Sequence, residues 1–592
     1  MKKAIFLLAA ALLLMSFSSN SQKKSSGDHS SGTKSITYQV KSPYILLPVE
    51  ENAPEVKMNV CVPAAGFNET YDVRLAQVKI DYWVPLKVEK FQGKELILNL
   101  TNCAGAEMGI DAMKESDKFD LAYDETYRPR FHFTPEYGWM NDPNGMVYLD
   151  GEYHLFFQYN PYGAVWGNMH WGHAVSTDLV SWTYLPTAIA PDTLGAIFSG
   201  SAVIDVNNTA GFGKNAMVAI FTSAGKVQAQ SIAYSTDKGR TFTKYAHNPV
   251  LPNPGITDFR DPKVSWNETS HQWIMTLATK QTITFFGSPN LKEWTKLSEF
   301  GAGMGSHAGV WECPDLFPLT YKGKTKWVLL VNINPGGPNG GSSTQYFIGS
   351  FDGTKFTADP LPYPLWIDYG RDNYAGVTWS NIPKADGRRL FLGWMSNWDY
   401  ANQVPTKNFR SANTVPRELS LVSNGKHLIL KSSPAKELKT LRGASKTFPN
   451  QLVDKSYSIA GLLPKNKGTY EIEMTLKPGH STRFGFELKN SKAESLKFTF
   501  DLQTNTLSVD REKSGIIGFK DNFKSGATAP LTKNAAYKVR LLVDKASSEL
   551  FINDGEIVMS TILFPTEVMN SMNIFSAEDN LSAENITIYN IK

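Results

Sequence analysis

Three cysteines in 592 residues is very few, and Cys61, Cys103 and Cys313 allow at most one internal disulfide. A scaffold stapled by disulfides is therefore excluded. No Cys/His group has the spacing of metal ligands, so no metal site is expected. Charge of one sign is also lacking: 60 basic residues face 56 acidic ones, for a net charge of +4. With no basic stripe or lysine-rich tail, nucleic acid is not an expected partner. Beyond the N-terminus no run of 18 apolar residues occurs, which argues against stable membrane insertion. Helical periodicity of 3.6 does not stand out over residues 36–122. Aromatic residues are abundant instead, with 14 Trp, 24 Tyr and 33 Phe. Most of them suit dense β-sheet cores, and the remainder can line a sugar site.

The N-terminus reads as an export signal over residues 1–21: Lys2 and Lys3, an apolar stretch from Ala4 to Phe17, then small and polar residues. No cysteine nearby offers a lipid attachment point, so a periplasmic or secreted protein is expected. Residues 22–35 are rich in Ser, Gly and Lys and read as a flexible linker. Strand signals then fill 36–122, a small N-terminal β-sandwich-like module in which Cys61 and Cys103 could pair. Residues 446–592 carry at least seven short strands separated by turns such as Asn553-Asp-Gly555, the pattern of a C-terminal β-sandwich.

Between them, residues 127–430 hold a degenerate repeat. A Ser-x-Asp/Asn turn recurs at Ser176, Ser235, Ser288 and Ser350. A polar tag opens a hairpin at Asn141-Asp142, Ser199-Gly200, Arg260-Asp261, Glu312-Cys313 and Asp372-Asn373, about every 50 to 62 residues. Five tags with about four short strands each predict a five-bladed β-propeller. The first strand of each blade lines the central channel, so Asp142, Asp261 and Glu312 are expected around one funnel despite their separation in sequence. Carboxyl groups facing each other across a small gap are the machinery of glycoside hydrolysis, one attacking or activating water and the other protonating the leaving oxygen. A third can hold substrate hydroxyls and stabilise developing positive charge.

The blocks Trp139-Met-Asn-Asp-Pro-Asn-Gly145, Phe198-Ser-Gly-Ser201, Phe259-Arg-Asp-Pro262 and Trp311-Glu-Cys-Pro-Asp315, present in that order, resemble the signature blocks of glycoside hydrolase family 32, which holds invertases, inulinases and levanases. The resemblance extends over about 127–592, through Asp368–Ala375 and Gly393–Trp398 to Val543–Gly555. It implies an all-β fold and a retaining β-fructosidase that releases terminal fructose from levan or inulin, and from sucrose. Asp142 would be the nucleophile, Glu312 the acid and base, and Asp261 the transition-state stabiliser. Asn141, Asn144, Gln158, Trp166, Phe198, Ser199, Arg260 and Trp398 would line the fructose site, with Trp394 a competitor for the place of Trp398. The segment Ala401-Asn-Gln-Val-Pro-Thr406 resembles exo-acting members. An endo-acting levanase or inulinase, an inverting arabinan or xylan glycosidase, a transfructosylase and a non-catalytic carbohydrate-binding propeller stay open as alternatives. Oligomeric state is not readable.

Overall fold

The computed structural model describes residues 32–121, 123–462 and 467–592. The export signal expected at 1–21 lies outside the described residues, as does most of the expected linker. Residues 33–35 of that linker belong instead to a strand, Thr33–Gln39, whose register with Glu95–Thr101 fixes them.

The N-terminal module packs two sheets over one core. A four-stranded sheet combines Thr33–Gln39, Glu95–Thr101, Val56–Val62 and Phe67–Val73, and a three-stranded sheet combines Tyr82–Lys87, Tyr44–Val49 and Lys114–Ser116. Alternation drives this: Val56, Met58, Val60 and Val62 face the shared core while Lys57 faces water. Cys61 and Cys103, whose pairing the sequence leaves open, are not joined. Both thiols are free; Cys61 sits opposite Ile97 in the sheet, and the Cys103 thiol donates to the Gly32 carbonyl.

The middle of the chain is the five-bladed propeller. The innermost strands are Gly138–Leu149, Ala196–Asp205, Phe259–Asn267, Val310–Tyr321 and Tyr374–Thr378. Each packs on the next and the fifth packs on the first, closing the ring. The Ser-x-Asp/Asn turns are structural. Asp178, Asp237, Asn290 and Asp352 each accept backbone N–H bonds from the turn that follows them. The last blade strand, Leu428–Pro434, outruns the expected boundary at 430, and the first strand of the sandwich sheets, Arg442–Thr447, begins before 446.

All five inner strands carry a bulge-like slip of register near their N-terminal ends. The register slips between Met140 and Pro143, Phe198 and Gly200, Arg260 and Lys263, Glu312 and Asp315, and Tyr374 and Val377. In three successive blades the bulged residue takes a left-handed backbone: Asp261, Cys313 and Ala375, at φ of 65°, 41° and 51°. A bulge re-aims side chains that regular alternation would send into the blade. Repeated around the ring, it turns residues of the first four polar tags, and Tyr374 in the fifth blade, toward the mouth of the channel.

The C-terminal domain packs a seven-stranded on a six-stranded sheet around Phe484, Phe486, Phe498, Phe500 and Tyr537. Its junction with the propeller is charged. His132 bridges Asp544 and Glu549 at 2.9 Å each. Arg417 joins Glu549 to Asp368, and Arg511 binds Asp372 at 2.7 Å.

Candidate active site

A cavity of about 370 Å³ opens at the bulged end of the propeller, lined by Asp142, Asp261 and Glu312. Its size is at the small end of ligand sites. In the first blade the bulge presents two consecutive residues. The Asn141 amide donates to Asp142 Oδ1 at 2.9 Å, and the buried Trp139 indole fixes that amide by donating to its oxygen at 2.8 Å. The second blade contributes Ser199, whose hydroxyl donates to Asp142 Oδ2 at 2.6 Å. Both Asp142 oxygens are thus aimed.

The third and fourth blades interlock. The Cys313 backbone N–H donates to Asp261 Oδ2 at 3.0 Å. Its thiol lies 3.4 Å from Asp142 Oδ2 and 3.6 Å from Asp261 Oδ2, so one side chain spans both acids. Arg260 reaches Glu312 Oε1 through Nε and Nη2 at 3.1 and 3.0 Å, and its other arm is held by Asp258 at 2.6 Å. The fifth blade supplies Tyr374, whose hydroxyl donates to Glu312 Oε2.

Three carboxyls share one full cation, and the electrostatics follow. Burial raises the pKa of Asp142, hydrogen bonds from Ser199 and Asn141 oppose that rise, and the Glu312 charge adds to it. Asp261 is pushed up to about 7 by burial and by the charges of Glu312 and Asp142, against the pull of Arg260. Burial, followed by the charges of Asp142, Asp261 and Glu312, pushes the Cys313 thiol far up, so it stays a protonated donor. Burial, and after it the Glu312 charge, raises the Tyr374 hydroxyl as well.

Aromatic rings form the walls. Trp398 stacks on Trp139 with centroids 5.8 Å apart and an interplanar angle of 22°. Trp166, 42% exposed, stands edge-on to both Trp398 and Phe198. Gln158 is buried at the wall, and its amide nitrogen has no partner among the described residues, leaving a donor free for a ligand hydroxyl.

The structure therefore brings together Asn141, Asp142, Gln158, Trp166, Phe198, Ser199, Arg260, Asp261, Glu312 and Trp398. Trp398, not Trp394, faces the cavity; Trp394 is fully buried against it, with centroids 4.8 Å apart. Asn144 is placed differently. It does not line the cavity but is buried opposite Phe156. The first bulge aims Asn141 and Asp142, and a second irregularity between Asn144 and Val147 takes the strand away.

Tyr374, Asn334 and Asn402 line the cavity without having been singled out. Tyr374 sits two residues after the Asp372 tag, and only the bulge reveals that the tyrosine and not the acid turns inward. Asn402 lies in the flagged segment 401–406. Asn334 ends the second strand of the fourth blade, and no signal marks it.

Comparison with known proteins agrees with this geometry. The chain matches the glycosyl hydrolases family 32 N-terminal domain over residues 132–432 and the family's C-terminal domain over 437–590, while 31–131 match a domain of unknown function. It is 50% identical to a levanase of Bacillus subtilis over 483 residues, 79% of this chain and 71% of the relative. Against an extracellular exo-inulinase of Aspergillus ficuum the identity is 38% over 75% of this chain and 90% of the relative. Among solved structures, exo-inulinase from Aspergillus awamori aligns with a TM-score of 0.74 at 35% identity, covering 80% of this chain and 99% of that one. A fructofuranosidase from Schwanniomyces occidentalis complexed with fructosylnystose aligns at 0.73 and 35% identity, covering 81% and 100%. The chain belongs to glycosyl hydrolase family 32.

Proposed function

We propose that this β-fructosidase works by retaining double displacement and removes terminal fructose from β-fructans, levan or inulin, and from sucrose. Asp142 attacks the anomeric carbon as Glu312 gives its proton to the glycosidic oxygen, and the remainder of the substrate leaves as an alcohol. The fructosyl ester on Asp142 is then opened by water. Glu312, now a carboxylate, takes a proton from that water as its oxygen bonds to the anomeric carbon and Asp142 departs. Asp261 binds ring hydroxyls and balances the oxocarbenium-like charge. Arg260 and Tyr374 each hold one oxygen of Glu312, fixing its approach to the leaving group. Asn141, Gln158, Ser199, Phe198, Trp166 and Trp398 shape the sugar site, and every step is carried by side chains.

The observation that carries this reading is the convergence of three carboxyls in one small cavity, with the Cys313 thiol against Asp142 and Asp261 and Arg260 joined to Glu312. The levanase and exo-inulinase relatives support fructan as substrate, and the small cavity supports exo attack on a chain end. Export rests on the N-terminal signal pattern and on relatives named as extracellular. Among the described residues no helix is long and apolar enough to cross a membrane.

Early products from levan, inulin and sucrose test the proposal, with Glu312→Ala in parallel. Fructose alone from the first time point, released as the β-anomer and lost in the variant, is expected. An oligosaccharide ladder would overturn exo attack, a first-formed α-anomer would overturn retention, and no product from any of the three would overturn the substrate assignment.

A further inference from the structure

The N-terminal module reaches the active site from behind. Trp166 lies on the loop between the second and third strands of the first blade, Glu152–Asn160 and His170–Ser176. Two residues of that loop, Tyr162 and Ala164, are part of the module's own hydrophobic core rather than the propeller's. The Ala164 N–H donates to the hydroxyl of Tyr82 in the module at 2.8 Å. Tyr162 packs on Tyr71 of the module with ring centroids 4.8 Å apart. Beyond Trp166, the Asn168 amide donates to the Asp72 carbonyl at 3.3 Å.

A second line reaches the same tryptophan through the other rim. The Trp166 N–H donates to Asn402 Oδ1 at 2.9 Å. The Asn402 carbonyl accepts from Arg410 at 2.7 Å, and Arg410 also holds the Thr406 carbonyl at 3.1 Å. Arg410 is buried, with its side chain 4% exposed, and the acid it pairs with is Glu51 of the module, at 2.9 Å. Residues Phe409–Arg410 run parallel to Gly138 and Trp139 at the start of the nucleophile's strand. A buried guanidinium needs its charge compensated to keep one position.

We propose that the N-terminal module is a positioning element of the active site: through Tyr82 and Glu51 it sets the place of Trp166, and so the fit of the outer pocket wall to the sugar. This rests on the functional reading given above. Trp166 stands half exposed on the cavity wall and makes no hydrogen bond to the three carboxyls, so a displaced ring weakens substrate binding and transition-state binding alike. Such a loss raises KM and leaves kcat nearly unchanged.

The test measures kcat and KM for fructose release, with Tm, on the full chain and on Glu51→Ala, Tyr82→Phe, Trp166→Ala and the doubles of each module variant with Trp166→Ala. Glu51→Ala is expected to raise KM about five- to tenfold and Tyr82→Phe about two- to threefold, with kcat moving less than about twofold. Glu51→Gln, which keeps an acceptor against Arg410, should recover part of the loss. In the Trp166→Ala background both increments should vanish, which a merely structural contact would not produce. If Glu51→Ala fails to fold, the near-isosteric Tyr82→Phe carries the cycle. An active wild type whose module variants leave KM unchanged, or add to Trp166→Ala undiminished, overturns the inference alone. A wild type that releases fructose from none of the three substrates overturns the functional reading and this inference with it.

Discussion

Two of the buried clusters of acids among the described residues are built to opposite rules. At the junction of propeller and sandwich, Asp544, Glu549, Asp368 and Asp372 meet His132, Arg417 and Arg511. Burial alone would raise Asp544 and Glu549. The His132 hydrogen bonds and charge hold both low instead, with Arg417 acting on Glu549 and backbone N–H groups on Asp544. His132 in turn is lifted to about 9, because its bonds to the two acids and their charges outweigh burial. In the funnel three acids share Arg260, and there Asp142 and Asp261 are raised. Compensation, not burial, separates a structural acid from a reactive one. A cluster with enough cations clamps two domains, while one left short keeps protons and charge available for chemistry.

The comparison breaks most visibly at Asp142, the proposed nucleophile. Asp142→Asn keeps the shape, with its oxygen accepting from Asn141 and its amide donating to a Ser199 hydroxyl that now accepts, but removes the charge. Steady-state kinetics should show kcat lower by about 10⁴-fold or more, with an unchanged or higher Tm, since an under-compensated buried charge is gone. A Tm falling by many degrees would mean that Asp142 is a structural acid after all.

At the junction the signs reverse. His132→Ala leaves Asp544 and Glu549 facing each other with less compensation, which costs on the order of 3–5 kcal/mol. Denaturant melts should register that loss, while activity per folded molecule stays near wild type. The pH dependence adds a check. The folded pKa of His132, about 9, lies above its unfolded value, so its contribution is complete below about pH 6.5 and is lost as pH rises through 9. Wild type should lose stability over that window, and the variant should not show that component.

Much of this was legible in the sequence, for a physical reason. Propeller blades repeat, so Asp142, Asp261 and Glu312 could be placed around one axis from their tags alone. What the tags could not convey is the bulge. Asp372 occupies the fifth tag, yet it points to Arg511 in the sandwich, while Tyr374 turns to Glu312. Asn144 sits inside the signature block and still misses the cavity, because strand irregularities decide facing residue by residue. The wall partner Asn402 depends on loop contacts between distant segments, which no local pattern encodes.

Asp261 offers a subtler contrast with His132. Its folded pKa, about 7, is above the unfolded carboxyl value, so the native state binds the extra proton. Its contribution is present at low pH and is lost as pH rises from about 4 through 7. Asp261→Asn mimics the protonated form at every pH. The variant should be nearly inactive yet melt about 1–2 °C higher than wild type at pH 7.5, with the gap closing toward pH 4. A lower Tm at pH 7.5 would place Asp261 with the junction acids.

The smallest effect belongs to the thiol between the acids. Cys313 remains protonated, and as a donor it favours the charged forms of Asp142 and Asp261, but a thiol hydrogen bond is weak. Cys313→Ala removes that donor and keeps the backbone N–H on Asp261, although the new residue must still accept a φ of 41°. Fewer hydrogen bonds to an ionised acid raise its pKa. Since the attack proposed for Asp142 needs its carboxylate, the acidic limb of the kcat profile should move to higher pH by less than about one unit. At neutral pH kcat should fall only about two- to fivefold. Cys313→Ser, a stronger donor at the same place, should move the limb back. If Ala and Ser shift it equally, the thiol only fills space, and the aim of Asp142 belongs to Ser199 and Asn141 alone.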